Sequence, residues 1–129
     1  MNWVATELLD FGRRIGLPQL ALDQADACQL KLESGALIAL ELVDEELIIY
    51  RCQPLPWPDP ALLLRALRRC NTREGGTALQ IGLRGTAADT KLIVALRLPA
   101  REFTAQRLEA SWEMIQHWIE DCAGETVAR

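Results

Sequence analysis

Hydrophobic residues recur along the chain with two different periods, and the changes of period divide it into three helical and five strand-like segments. A first helix is predicted over residues 3–15, with Asn2 as its N-cap. Gly16, in a left-handed conformation, and Leu17 and Pro18 after it are predicted to end this helix. Its apolar face consists of Val4, Leu8, Phe11 and Ile15.

Three strand-like runs follow the first helix, and short turns join them. Apolar and polar residues alternate over residues 28–33, the pattern of a strand with one buried face. The Ser-Gly pair at 34–35 is predicted to form a two-residue hairpin turn before a strand over 36–43. The Asp-Glu pair at 44–45 is predicted to turn the chain again, into a strand over 47–50. Because connections this short favour antiparallel neighbours, the runs are expected to pair antiparallel.

The second half of the chain begins with a proline-rich connector at residues 53–60, where each proline fixes φ and removes a backbone donor. The Asp-Pro pair at its end predicts the start of a second helix, which runs to about Cys70. Two strands at 79–84 and 92–98 and a last helix at 101–122 are predicted beyond it. The apolar stripe of the last helix is Leu108, Trp112, Ile115, Ile119 and Cys122.

The predicted order α-β-β-β-α-β-β-α is typical of an α+β domain with a mainly antiparallel twisted sheet and helices packed on it. The chain has 129 residues, of which 50% are hydrophobic and 25% charged, so it is long and apolar enough for one domain over residues 1–129. No internal repeat or long linker divides it.

The charge balance argues against two classes of partner. Acidic residues number 18 and basic residues 14, for a net charge of −4. Nucleic acids and anionic membrane surfaces both require a surplus of Lys and Arg, so neither is expected as the partner. The helix-spaced cluster of Arg65, Arg68, Arg69 and Arg73 is interpreted as a solvated helix face. No secretion signal or membrane-spanning stretch is present in the pattern, so the protein is expected in the cytosol.

Catalytic, cofactor and metal sites are not expected. The cysteines Cys28, Cys52, Cys70 and Cys122 form no C-x-x-C pair and are expected as free thiols. Glu113, His117 and Asp121 share one helix face, but the i to i+8 reach is too long for one ion, and surface pairing explains their spacing. With one histidine and no nucleophile motif, an enzyme is not expected.

The second helix is apolar over about two thirds of its circumference, more than the roughly 100° arc that a surface helix needs. Such a helix must be covered on two sides. Deep burial within one subunit would meet this need, but a chain of 129 residues has only one layer to supply, so a subunit interface is the favoured interpretation. The residues predicted to form it are Leu62, Leu63, Leu64, Leu67 and Cys70.

The strands over 36–43 and 92–98 are apolar on both faces, although one face of a small antiparallel sheet is normally polar. The second face is therefore expected to be covered by a twofold partner or by a binding partner, with loops of the same subunit as the alternative. The residues assigned to binding on this face are Leu37, Ala39, Val43, Ile93 and Ala95.

Several stretches together carry a family resemblance over nearly the whole chain. They include the helix end FGRRIGLPQLALD, the strand CQLKLE, the helix LPWPDPALLLRALRRCN and the strands LQIGL and LIVALRLP. The turn from Asn71 to Gly75 and Gly76, and the last helix with Trp118 near its end, complete the pattern. This ensemble resembles the CesT/Tir-chaperone family, the single-effector class of type III secretion chaperones.

The resemblance implies a bacterial cytosolic homodimer, built largely through the second helix, that holds the N-terminal segment of a secreted effector in an extended form. It also implies that neither ATP nor a cofactor is used. YbjN-like proteins have a similar topology, so a regulatory or adaptor protein that binds a folded partner is the alternative.

Overall fold

The computed structural model describes residues 2–55, 64, 68, 73–74, 77–85 and 90–127. The long helices of these ranges are the first helix (Asn2–Arg14) and the last helix (Ala105–Val127). The strands are β1 (Ala27–Lys31), β2 (Leu37–Val43), β3 (Glu46–Leu55), β4 (Arg73–Glu74), β5 (Thr77–Ala78), β6 (Gln80–Arg84) and β7 (Thr90–Pro99). Of the predicted second helix, only Leu64 and Arg68 lie within the described residues, and both are helical.

Five strands form one antiparallel sheet in the order β1-β2-β3-β7-β6, which confirms the predicted α+β class. The two central strands, β3 and β7, are each 10 residues long and pair from Glu46 opposite Pro99 to Leu55 opposite Thr90. The short strands β4 and β5 form a separate hairpin that the sequence pattern did not predict.

The end of the first helix is confirmed in detail. The Leu17 N–H donates to the Gly12 carbonyl at 2.7 Å, and Gly16 has a φ of 81°, the geometry of a Schellman cap. Its start differs from the prediction, because Asn2 is already helical rather than a cap. Ile15 lies beyond the last helical turn and is 45% exposed, so the buried stripe stops at Phe11.

One of the two predicted turns is correct. Residues 44–45 form a two-residue turn in which Asp44 and Glu45 have φ of 48° and 65°, as a type I′ hairpin requires. The turn at 34–35 is wrong by one residue. The Leu32 N–H donates to the Ala36 carbonyl at 2.8 Å, so three residues form the loop, and Gly35 supplies its positive φ of 90°.

The last helix begins at Ala105, four residues later than predicted, because a 3₁₀ turn over Ala100–Glu102 precedes it. The Thr104 hydroxyl accepts the Arg107 N–H at 3.0 Å, which is an N-cap. The Glu7 carboxylate of the first helix accepts the Ala105 N–H, also at 3.0 Å. A side chain of one long helix therefore caps the other.

Both long helices pack against one face of the sheet. Phe11 and Trp112 meet edge-to-face, with ring centroids 5.0 Å apart, where the helices touch. Trp118 is 1% exposed and belongs to this core, although the predicted stripe of the last helix omitted it. Residues of the sheet that join the core include Leu40, Leu47, Ile49, Val94, Leu96 and Leu98.

Replacing Gly12 is predicted to lower the stability of the fold, although the residue lies inside a helix. A Cβ atom there would collide with the Leu17 carbonyl oxygen and lie 2.8 Å from the Leu20 Cβ. Helix propensity alone would make Gly12→Ala stabilising by about 1 kcal/mol, but the collision costs about 1–3 kcal/mol. We expect a net loss in the free energy of unfolding, measured by urea denaturation.

Gly82→Ala is the matched control, because a Cβ at Gly82 would meet nothing within 4 Å. This variant should unfold at the wild-type urea concentration or slightly above it. A Gly12→Ala protein more stable than wild type would contradict the close approach of the turn to the helix.

Candidate binding surfaces

The face of the sheet turned away from the two long helices, called the outer face here, has an apolar centre. The strand register places Leu37, Cys52 and Ile93 side by side in one row, with Ala39, Tyr50 and Ala95 in the next. None of these six residues belongs to the core cluster that the long helices join. All except Ala39 are partly exposed. The described helices therefore leave this apolar centre uncovered.

The residues assigned from sequence to binding lie together on the outer face. Leu37, Ala39, Ile93 and Ala95 are separated only by the intervening strand β3. Val43 is 46% exposed at the far end of β2. Ala39 is 0% exposed and so offers no surface of its own.

Two side chains on the neighbouring strands account for the burial of Ala39. Gln29 and Tyr50 lie on either side of Ala39 in the register, and their side chains are hydrogen bonded to each other. Burial raises the pKa of Tyr50, and the nearby Glu41 carboxylate raises it further. Tyr50 therefore stays neutral at physiological pH and presents its ring to the outer face.

The predicted dimer interface is only partly visible. Leu62, Leu63, Leu67 and Cys70 lie outside the described residues. Leu64 is described, and it is a helical residue whose side chain is 48% exposed.

Strand β1 forms one edge of the sheet, and its outward backbone groups are mostly unpaired. The Leu32 N–H donates to the Ala36 carbonyl, and the Leu42 N–H donates to the Asp26 carbonyl. Because every second residue of an edge strand bonds to its neighbour, the backbone groups of the even-numbered residues of β1 bond to β2. The peptide groups of Gln29 and Lys31 point to the open edge, where they have no backbone partner among the described residues.

Only the start of this edge is closed. The Ala27 carbonyl accepts the Asp23 N–H at 2.7 Å, and the Ala27 N–H donates to the Asp23 carboxylate at 3.0 Å. Gln29 and Lys31, both exposed, therefore form a short stretch of edge that an added strand could pair with.

A cavity of about 530 Å³ opens beside this edge, between the two helices and the sheet. Its apolar wall consists of Phe11, Ile15, Leu32, Ile38, Trp112 and Ile115. A second cavity of about 280 Å³ lies along the same edge and is lined by Leu17, Pro18, Gln19, Leu20 and Leu30. Ile15 and Leu17 are 45% and 40% exposed, so the end of the first helix contributes open apolar surface to both. We call the β1 edge with these two cavities the edge groove.

A polar chain crosses the larger cavity. Arg51 on β3 donates to Gln53 at 3.0 Å and to the Gln116 side-chain oxygen, and Gln116 donates to Glu120 at 2.7 Å. Burial lowers the pKa of Arg51, and the Glu120 carboxylate partly offsets that shift. The cavity is thus apolar on its walls and holds a hydrogen-bonded cation on the strand beneath.

Sequence reasoning did not identify the edge groove. The available signal was the pair of large apolar residues, Ile15 and Leu17, on either side of a glycine helix stop. The pattern assigned Ile15 to the buried stripe because helical spacing was extended one turn too far.

The residues considered for metal binding are a surface pair. His117 Nε2 lies 3.4 Å from Asp121 Oδ2, and both side chains are largely solvent accessible. In the described part of the chain, no group of three or more potential ligands is close enough to hold a metal ion. Over the same residues, no helix is long and apolar enough to cross a membrane.

Residues 3–122 match the family model described as type III secretory system chaperone SycN, and the chain belongs to that family. It is therefore a chaperone of type III secretion and not an enzyme. No protein with a curated description matches the chain in sequence.

Solved structures agree on the fold. A chain of the HopA1–SchA chaperone–effector complex is 17% identical, with a TM-score of 0.66, and the match covers 92% of this chain and 91% of that one. The type III secretion chaperone SycH of Yersinia pestis, solved with a stable fragment of YscM2, is 11% identical, with a TM-score of 0.67 and coverage of 94% and 98%. YbjN of E. coli, a candidate transcription regulator, is 16% identical, with a TM-score of 0.55 and coverage of 94% and 89%.

Thiol reactivity should report which faces are open. Cys52 is partly exposed on the outer face, whereas Cys28 is buried, and burial followed by the Asp23 charge raises its pKa. A raised pKa leaves less reactive thiolate at a given pH. We therefore expect iodoacetamide to modify Cys52 faster than Cys28 in the native protein at pH 8, as measured by peptide mass spectrometry.

In denaturant without reductant, all four cysteines should be modified, because the chain is expected to contain no disulfide. Faster modification of Cys28 than of Cys52 in the native protein, or fewer than four modified thiols after unfolding, would contradict this assignment.

Proposed function

We propose that the chain is a homodimeric chaperone of the bacterial cytosol that binds the N-terminal segment of a secreted effector and keeps it competent for secretion. Membership of a type III secretion chaperone family supports the secretion role. The observation that carries the mode of binding is the open β1 edge beside two apolar cavities.

An extended segment suits this edge better than a folded domain does. A strand added beside β1 would pair with the outward groups of Gln29 and Lys31. Alternate side chains of that strand would face the helices and enter the cavities beside Leu30 and Leu32, while the others would lie near the exposed Lys31 side chain. The segment expected to bind therefore alternates apolar and polar residues.

The outer face supplies a second apolar patch for the same partner or for the second copy of the chain. Leu37 and Ile93 form its centre, together with Cys52, and a shallow cavity of about 270 Å³ opens at Leu37 and Cys52. A patch of this kind on a monomer marks an interaction surface. In this proposal, the second copy of the chain covers part of this face and the effector covers the rest.

The dimer is proposed to form through the second helix, with Leu64 in the contact. Its side chain is 48% exposed in the single chain. Burying one such leucine contributes about 1.5–3 kcal/mol, and a twofold interface contains it twice. Leu64→Asp should therefore raise the dimer dissociation constant by roughly a hundredfold or more.

Light scattering at micromolar concentration measures this directly, with twice the monomer mass of 14.4 kDa expected for the wild type. Ile15→Asp is the matched control, because Ile15 is exposed to a similar extent but lies in the edge groove. It should leave the mass unchanged. A wild-type monomer, or a dimer unaffected by Leu64→Asp, would defeat the proposed interface.

Effector binding should protect the β1 edge from hydrogen exchange. With the N-terminal segment of the cognate effector bound, the Gln29 and Lys31 amides should exchange more slowly, because the added strand accepts their hydrogens. The bound segment should show no globular core. Ile15→Asp should weaken binding about tenfold, while Leu83→Asp at the opposite edge strand β6 should leave it unchanged.

Each part of the proposal, the edge groove and the outer face, has a result that would overturn it. One is binding only to a folded domain, which would favour a regulator or adaptor of the YbjN kind. The other is full protection with both Leu37→Asp and Ile93→Asp leaving dimerisation and binding intact, which would remove the outer face from either role.

A further inference from the structure

The mouth of the larger cavity is charged on one side only. Glu109, Glu113 and Glu120 follow one another along the last helix at spacings of four and seven residues, and all three border the cavity. Their side chains are exposed, whereas the cavity wall beneath them is formed by Phe11 and Trp112. Any side chain that enters the apolar cavity therefore passes a row of carboxylates.

Within the described part of the chain, the cations around this mouth do not balance the row. Arg14 lies 4.0 Å from Glu109, but it is shared with Asp10 at 3.1 Å. Arg51 interacts with Glu120 through Gln116 and is turned to the cavity floor. Glu113 has no ion pair with another described residue.

The remaining ionisable groups bordering the mouth leave the balance negative. Among the described residues that line the cavity, the ionisable groups are the carboxylates of Glu109, Glu113 and Glu120, the Arg51 guanidinium and the His117 imidazole, which pairs with Asp121 at 3.4 Å. Three carboxylates thus face one guanidinium and one histidine.

We propose that the larger cavity of the edge groove selects a partner segment in which a large apolar side chain and a Lys or Arg lie two residues apart. This inference rests on the proposed function and specifies the chemistry of the segment. The apolar wall fits the anchor side chain, and the uncompensated carboxylates at the mouth fit the cation.

The spacing follows from strand geometry. In a strand added to β1, residues i and i+2 point to the same side, about 6–7 Å apart. When residue i enters the cavity between Ile15 and Trp112, residue i+2 lies on the helix-facing side within reach of the carboxylate row. A lysine there keeps its charge in solvent while its methylene groups cover the apolar rim.

Fluorescein-labelled 20-residue peptides provide the probe. Leu alternates with Ser in each, and one helix-facing Leu, between two Leu anchors, is replaced by Lys, Gln or Glu. Exposed ion pairs contribute about 0.2–1 kcal/mol each, so the Lys peptide should bind roughly two- to fivefold more tightly than the Gln peptide in fluorescence anisotropy. The Glu peptide should bind more weakly than both, and 1 M NaCl should remove the differences.

The Glu113→Gln, Glu120→Gln double variant should lose the preference for Lys, so that the ratio of its affinities for the Lys and Gln peptides falls to about one. Asp44→Asn with Glu46→Gln changes the charge equally at the β2–β3 turn, away from the groove, and should retain the preference. Gln at 120 can still accept from Gln116, so the fold at the cavity is kept.

The outcomes separate the two levels of the proposal. If the Gln peptide binds but Lys gives no gain, or if the Asp44→Asn, Glu46→Gln control loses the gain as fully as the groove variant, the selection rule is wrong and strand addition stands. If no peptide binds to the wild-type dimer, both the selection rule and binding of extended segments at the groove are overturned.

Discussion

Both long helices of the described structure lie on the same face of the sheet, held together by the Phe11–Trp112 ring contact and by the Glu7 cap on Ala105. A small domain builds its core from two packed layers, and here one layer is the sheet and the other is this helix pair. The core residues of the strands accordingly all lie on the helix-facing side. The outer face is left uncovered by the two long helices because both lie on the other side, whereas β1 is an edge because it is the first strand in the sheet order.

An unprotected edge strand is a hazard, because any other strand can pair with it. This chain limits the hazard rather than removing it. The Asp23 turn occupies the outward groups of Ala27, and an exposed lysine, Lys31, stands at the other end of β1. Within β1, the outward peptide groups of Gln29 and Lys31 have no backbone partner among the described residues. An edge this short offers another strand few hydrogen bonds, so a segment that binds there depends on side chains that enter the cavities.

The fold was largely predictable because local sequence patterns indicate most of its helices and strands. Alternation of apolar and polar residues marked β1, mainly apolar runs marked the strands over 36–43 and 92–98, and the Gly16–Pro18 stop marked the end of the first helix. The start of the last helix was not predictable in this way, because the 3₁₀ turn at Ala100–Glu102 has the same apolar spacing as a helix. The length of the loop at 33–35 could not be predicted either. A glycine occurs both at the end of three-residue loops and in two-residue turns, so the sequence does not distinguish the two.

The candidate sites, too, include one that the sequence predicted and one that it did not. The apolar surplus that predicted the outer face is a property of single strands, and the register brought Leu37, Ile93 and Ala95 together as a strand pattern implies. The burial of Ala39 depends on the Gln29–Tyr50 contact across two strand pairs, which no local pattern encodes. The edge groove likewise combines residues from the first helix, β1 and the last helix, so its cavity exists only in three dimensions.

The energetics of the groove explain why extended binding and dimerisation belong together in the proposal. Ordering five residues along β1 costs about 5–10 kcal/mol at 1–2 kcal/mol per residue. Seating two or three leucine-sized side chains returns about 1.5–3 kcal/mol each, and each new backbone hydrogen bond adds about 0.5–1.5 kcal/mol. These sums nearly cancel, so one groove alone holds a segment weakly. A segment long enough to reach the groove of a second copy gains the effective concentration of a tethered ligand. In the proposed homodimer, tight but reversible holding of a segment would then come from repeating a weak site.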